Sequence, residues 1–165
     1  MPTIALKEAR SEEDILAVRR LMREYGDYLA NSPSGAASIC LTGYEQELQN
    51  LPEGYTAILL AEVDGIPAGC VALREIVQDH RACEMKRLWV ASGFRGLRLG
   101  RRLVEQAIAW ATIQGFQSIY LDTVPAAMPE AGRLYASLGF VPIERYNQNP
   151  LPGVEFFHRP LGNVR

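Results

Sequence analysis

The stretch Arg95-Gly96-Leu97-Arg98-Leu99-Gly100-Arg101-Arg102 puts two glycines and four arginines between an apolar strand and an amphipathic helix. Glycine lets backbone come close to a ligand. The first turn of a helix offers free N–H groups and the positive end of the helix dipole. Together these features bind phosphate. Exposed cations at a helix N-terminus are disfavoured by about 0.3–1 kcal/mol each, so the arginines break a local rule, as residues at functional sites do. A bound polyanion would supply the missing counter-charge. From the octapeptide alone, a solvated basic helix end and an RNA-binding stripe stay open. No Gly-Lys-Ser/Thr follows the glycines, which speaks against a nucleotide-hydrolysing loop. No Gly-x-Gly-x-x-Gly is present either, and the preceding strand closes an antiparallel meander, unlike a dinucleotide fold.

The elements that must position this turn can be read from periodicity. Thr3–Glu8 alternates as a short strand. Ser11 is placed to cap a helix, with Asp14 at the capping-box position, and Ile15, Val18, Leu21, Met22, Tyr25 and Leu29 follow at helical spacing. Asn31–Ser38 reads as a loop and Tyr44–Leu51 as a second helix. Tyr55–Val63 and Ala68–Ile76 are strands about an Asp64-Gly65 hairpin turn, and Cys83–Val90 is the third strand of the meander, after a polar turn at Gln78–Arg81. Leu99, Leu103, Val104, Ala107, Ile108 and Ala111 share one helical face, which Gly115 can end. Gln117–Thr123 reads as a strand, Ala126–Leu138 as a helix closed by Gly139, and Phe140–Ile143 and Val154–Phe157 as strands joined by the loop Glu144–Gly153. A strand–helix–strand crossover after a meander predicts one α/β domain over residues 1–165, with a mixed, mostly antiparallel central sheet flanked by helices.

Composition fits a single domain: 48% of the 165 residues are hydrophobic and 22% charged, with a net charge of −2. That global field is poor for holding nucleic acid, and none is expected as a partner. No apolar run reaches the roughly 18 residues of a membrane span, and MPTIALKEAR lacks the apolar core of a signal peptide. A cytoplasmic protein without membrane partners is the expectation. Cys40, Cys70 and Cys83 match no zinc or disulfide spacing, so no metal is expected.

Two segments carry a family resemblance. Glu84-Met85-Lys86-Arg87-Leu88-Trp89-Val90 followed by Arg95 to Gly100 resembles the acetyl-CoA site of the GNAT superfamily of N-acetyltransferases, whose motif is Gln/Arg-x-x-Gly-x-Gly/Ala five residues after a strand-ending Val. Arg95 and Gly100 fit its first and last positions, while Arg98 stands where glycine is usual. Downstream, Leu134-Tyr135-Ala136-Ser137-Leu138-Gly139-Phe140 is similar to the Leu-Tyr-x-x-x-Gly-Phe signature, with Ala131 in place and Met128 where Asn is frequent. Thr3 to Leu161 can be laid onto the GNAT element order.

The resemblance implies transfer of an acetyl group from acetyl-CoA to a primary amine by direct attack. It implies cofactor contacts from Leu88, Trp89 and Val90, from Arg95, Gly96, Leu97, Arg98, Leu99, Gly100 and Arg101, and from Tyr135. Backbone groups of Leu88 and Val90 would hold the pantetheine arm, and a free N–H of a splayed strand pair would meet the thioester carbonyl. Tyr135 is the candidate acid for the thiolate, because a phenol near pKa 10 and a thiol near 8.5 are closely matched. Glu84, six residues before Val90, stands where histone-type members carry their base, and burial there would raise its pKa. Ordered water is the alternative base. His80 is a further candidate, Asp122 could orient water or substrate, and Cys83 lacks the partners of a covalent nucleophile.

Acceptor choice is expected from Ala30–Ser38, from the turn at His80, and from Arg145–Pro152. Tyr146 and Asn149 are candidate contacts, and Lys86 and Arg87 hint at an anionic group on the acceptor, unless they balance Glu84. A small-molecule amine such as an amino acid, a polyamine-like amine or an antibiotic is the expected substrate. The alternative is a non-catalytic CoA-binding or regulatory module on the same fold, and a homodimer fits the family.

Overall fold

Alternation along β2 (Ala57–Val63) sets how the sheet is covered, since successive side chains leave opposite faces of a strand. Ile58 and Leu60 pack to one side with Val18, Leu21, Met22 and Leu48, whereas Leu59 and Ala61 pack to the other with Leu103, Val104, Ala107 and Phe140. The computed structural model describes residues 1–31, 43–125 and 128–162. Within them the remaining strands are β1 (Ile4–Glu8), β3 (Ile66–Ile76), β4 (Asp79–Val90), β5 (Ser118–Thr123), β6 (Val141–Ile143) and β7 (Glu155–Pro160). The helices are α1 (Glu12–Ala30), α2 (Tyr44–Asn50), α3 (Leu99–Ile113) and α4 (Ala131–Ser137), with a 3₁₀ turn at Ser92–Phe94. The seven strands form one sheet in the order β1-β2-β3-β4-β5-β7-β6. Only β4 and β5 pair in parallel. This is the mixed, mostly antiparallel sheet with helices on both faces that the element order predicts.

Local signals explain most boundaries. The Ser11 hydroxyl accepts the Asp14 N–H at 3.0 Å, and Asp14 in turn accepts the Arg10 N–H at 3.2 Å, which closes the start of α1. Asp64 and Gly65 both take positive φ, 51° and 81°, as a tight hairpin requires. One expectation is corrected at the helix read from Ala126 to Leu138. It begins only at Ala131, because Pro129 has no N–H to donate and is tolerated only at a helix start. Ala126 and Ala127 lie outside the described residues, as do Cys40 and most of the Asn31–Ser38 loop.

Two irregularities shape the centre of the sheet. The parallel pairing of β4 and β5 covers only Ala82–Glu84 against Ser118–Tyr120, and beyond that point no register joins the strands. The pairing of β3 with β4 also slips. Cys70 faces Trp89 but Ala72 faces Lys86, so Val71 alone opposes Arg87 and Leu88. This is a bulge, with Arg87 in the left-handed region at φ 61°. The extra residue reverses the alternation. Cys83 and Met85 pack toward α3 before it, whereas Leu88 and Val90 do so after it and Trp89 joins the α1 side. The sequence reading of Cys83–Val90 as a regular strand is corrected accordingly.

Candidate active site

The turn between β4 and α3 is anchored by its leucines. Leu99 is buried with Val63 and Ala68, and Leu97, Val90 and Phe94 pack against them. Residues 95, 96 and 98–100 line a groove of about 410 Å³, together with Leu88, Trp89 and Val90 and with Pro129–Ala131. Gly96 and Arg98 have φ 91° and 58°. Arg98 therefore takes the left-handed conformation that a glycine would take freely at this position, at a local cost of about 1–2 kcal/mol. A Cβ built on Gly100 would meet nothing nearer than Leu134 at 3.8 Å. That contact is not tight enough to demand glycine there, and Gly100 lines the groove.

The arginines of the turn are not equivalent. Arg95 lies over the rings of Trp89 and Tyr28, at 5.2 and 5.9 Å from their centroids. Trp89 is itself flanked by Tyr25 and Tyr28 and donates its indole N–H to Glu24 at 3.3 Å. Arg101 donates to the Ser137 hydroxyl at 3.1 Å and pairs with Glu105 at 3.3 Å, which ties α3 to α4.

A chamber opens where β4 and β5 part. Its walls are Met85–Leu88 from β4, Asp122–Val124 from the end of β5, Tyr25 and Leu29 from α1, Ala131 and Tyr135 from α4, and Met128, Asn149 and Leu151 from loops. Leu88, Met128 and Ala131 line both the chamber and the groove. The two spaces therefore adjoin, and an elongated ligand can run from the phosphate turn to the gap between the strands.

Tyr135 is 6% exposed and packs against Phe140 and Phe157. Its hydroxyl makes no hydrogen bond among the described residues. Burial, with Tyr25 and Asp122 nearby, pushes its pKa well above the phenol's usual value. The close match to a thiol expected from an unperturbed phenol is corrected: this hydroxyl keeps its proton and can donate a hydrogen bond, but is a weak acid.

Glu84 is 4% exposed and fully engaged. Arg74 donates from Nε and a terminal nitrogen to one oxygen, both at 2.8 Å, and the Tyr146 hydroxyl and the Asn147 amide donate to the other. Lys86 is 4.0 Å away. Burial pushes the carboxyl up, but Lys86, Tyr146 and Arg74 outweigh it, and its pKa is lowered. The raised pKa expected from burial is thus corrected, since paired cations and donors stabilise the charged form more than burial disfavours it. Asn147 also donates to Asp122 at 2.6 Å and so bridges two carboxylates.

Of the acceptor candidates, Lys86 and Asn149 line the chamber, whereas Tyr146 lies outside it, bonded to Glu84 and packed on Tyr120 and Phe156. Of the two cations expected to balance Glu84, Lys86 does so at 4.0 Å, and Arg87 does not. It pairs with Glu47. His80, read from the sequence as part of a turn over Gln78–Arg81, is instead an exposed residue at the start of β4 beside Glu75, and Cys83 is buried in the core with its thiol pushed up to about 12 by burial; neither lines the chamber. Tyr25 and Leu29 were legible only as a core stripe, and nothing local in the sequence marks Glu47 or Arg74 as partners of β4.

A glycine-bordered turn at a helix start, a parting strand pair and a tyrosine beside the gap are the features expected of a CoA-dependent acyltransferase of mixed α/β fold. Residues 18–140 match the Acetyltransferase (GNAT) family. The chain is 32% identical over 158 residues to an uncharacterised N-acetyltransferase of Schizosaccharomyces pombe, covering 93% of this chain and 92% of that protein. It is also 32% identical over 95 residues to the human N-acetylaspartate synthetase, covering 58% of this chain and 31% of that protein. The PaiA N-acetyltransferase of Thermoplasma acidophilum, solved in complex with coenzyme A, superposes with a TM-score of 0.72 at 17% identity, over 96% of this chain and 99% of that one. The chain belongs to the GNAT family and is an acetyltransferase. No described helix is long and apolar enough to cross a membrane.

Proposed function

We propose that this chain transfers the acetyl group of acetyl-CoA to the primary amine of a small molecule that also carries a carboxylate. The observation that carries the reading is the junction of groove and chamber at Leu88, Met128 and Ala131. The diphosphate rests on the backbone N–H groups of residues 95–100 at the start of α3. The pantetheine arm follows Leu88–Val90, and the thioester reaches the gap beyond Glu84 and Tyr120. There the β4 amides that face β5 have no strand partner and can receive the charge that grows on the carbonyl oxygen. Tyr135 donates a hydrogen bond to the departing thiolate.

A base effective near neutral pH needs a pKa near that value. Glu84, held ionised with both oxygens occupied, is better suited to fastening Tyr146 and Asn147 beside the chamber, and the amine proton leaves through water. Lys86, which lines the chamber while pairing with Glu84 at 4.0 Å, and Asn149 favour an acceptor carboxylate. The similarity to the N-acetylaspartate synthetase, whose name places an amino acid on the acceptor side, supports the same class.

The test is release of CoA thiol by the wild-type protein across a panel of amines with and without carboxylates. The expected result is turnover strongest with small amino acids, together with a higher melting temperature in acetyl-CoA. Binding of acetyl-CoA with no thiol release from any amine would instead indicate a CoA-binding module, and preference for uncharged amines would remove the carboxylate.

A further inference from the structure

We infer that Glu47, on α2 and outside the chamber, is a positioning residue for acetyl transfer that acts through Arg87 on the β4 bulge. The inference rests on the function proposed above and adds a device that the family's motifs do not contain. A side-chain-bearing residue seldom takes φ near 60°, and persists there only where its surroundings hold it. Arg87 has φ 61° and lies three residues past the last parallel pair, on the stretch of β4 that borders the chamber.

What holds it is visible. The Arg87 side chain turns toward α2, where Nε and a terminal nitrogen donate to the two oxygens of Glu47, at 3.1 and 2.9 Å. A two-point pair fixes the plane of the guanidinium as well as its position. The Tyr55 hydroxyl donates to Glu47 at 2.7 Å, and the Tyr44 ring lies 5.0 Å from the guanidinium carbon. Tyr44 is fastened in turn to α1, its hydroxyl donating to the Met22 carbonyl at 2.6 Å. The bulge is therefore pinned from outside the sheet. Its conformation decides where the unpaired β4 amides point, and small misplacement of such donors costs rate rather than binding. The pantetheine and diphosphate contacts lie downstream, in residues 88–100, and do not touch Glu47.

The experiment compares wild type, Glu47→Gln, Arg87→Gly and the double variant, measuring kcat by thiol release and CoA affinity by titration, below the unfolding midpoint of each. Glu47→Gln is expected to lower kcat about tenfold while CoA affinity stays within about twofold. Glycine takes the left-handed conformation without a clamp, so adding Glu47→Gln to Arg87→Gly should change kcat by less than about twofold. Tyr55→Phe, a milder change that leaves the ion pair in place, should lower kcat about threefold. Unchanged kcat in Glu47→Gln, an equal loss in both backgrounds, or parallel loss of kcat and CoA affinity would each overturn the inference. A wild type that binds CoA but releases no thiol overturns the proposed function, and this inference with it.

Discussion

At one end of the groove, lining atoms belong to one continuous turn, residues 95, 96 and 98–100. At the other end they belong to side chains drawn from α1, β4, β5, α4 and the loop before β7. The first site asks little of its side chains. Leu97 and Leu99 point inward, Arg95 rests on Trp89, and Arg101 is tied to α4. The second is backed by a network beside it, in which Glu84 is bonded to Arg74, Tyr146 and Asn147, and Asn147 is bonded to the chamber's Asp122. In the proposed function, a ligand common to many enzymes is met by one turn that a short motif encodes. The part proposed to choose the acceptor and guide the chemistry is assembled from residues far apart in the chain.

The contrast can be broken most forcefully at Gly100. In Gly100→Glu the new side chain enters the groove with no protein clash at its Cβ, and a negative charge at a helix start is favourable by about 0.3–1 kcal/mol. The unliganded protein should be as stable as wild type or slightly more so, while CoA affinity falls by about 100-fold or more, since the carboxylate meets the diphosphate. Calorimetric titration beside a melting curve checks both halves. A variant that still binds CoA well would remove the turn from its role.

Tyr135→Phe acts at the other end. It should lower kcat by about 10- to 100-fold and leave CoA affinity unchanged, because the hydroxyl matters only as the thiolate forms. Steady-state kinetics with a CoA titration separate the two, and equal kcat would exclude the hydroxyl.

Glu84→Gln sharpens the comparison through pH. The carboxyls of Glu84 and Glu47 are held below their ordinary value in the folded chain, so the unfolded chain binds more protons near its own pKa. Their stabilisation is present above about pH 4.5 and is lost as pH falls through the folded values. Glu84→Gln should lose about 1–3 kcal/mol at neutral pH, raise the acceptor KM more than it lowers kcat, and show a shallower acid loss of melting temperature. A large fall in kcat with the acceptor KM unchanged would return Glu84 to the role of base.

The smallest effect belongs to Arg98→Gly. Releasing the left-handed strain should raise stability by about 1 kcal/mol, or roughly 2–4 °C in Tm, with CoA affinity within about threefold. A fall in stability would mean the arginine side chain contributes more than its conformation costs.

The same contrast explains what was legible in the sequence. The turn, the Ser11 cap, the Asp64-Gly65 hairpin and the meander are local signals, and residue type with spacing was enough for each. The bulge at Arg87 left no such mark. Leu88, Trp89 and Val90 are apolar on both faces of the sheet, so a slip in alternation changes no pattern that periodicity could register. Lys86, two residues on, is the local part of the Glu84 shift, whereas Arg74 and Tyr146, 10 and 62 residues away, were out of reach of spacing. The start of α4 was misplaced because helix-forming residues around Pro129 outweighed the proline that interrupts them.

The most direct measurement is a crystal structure with CoA bound. The diphosphate is expected on the backbone N–H groups of residues 95–100, and the thiol sulfur in the gap between β4 and β5 within hydrogen-bonding reach of the Tyr135 hydroxyl. A cofactor seated with that turn vacant, or with its sulfur outside the gap, would contradict this expectation.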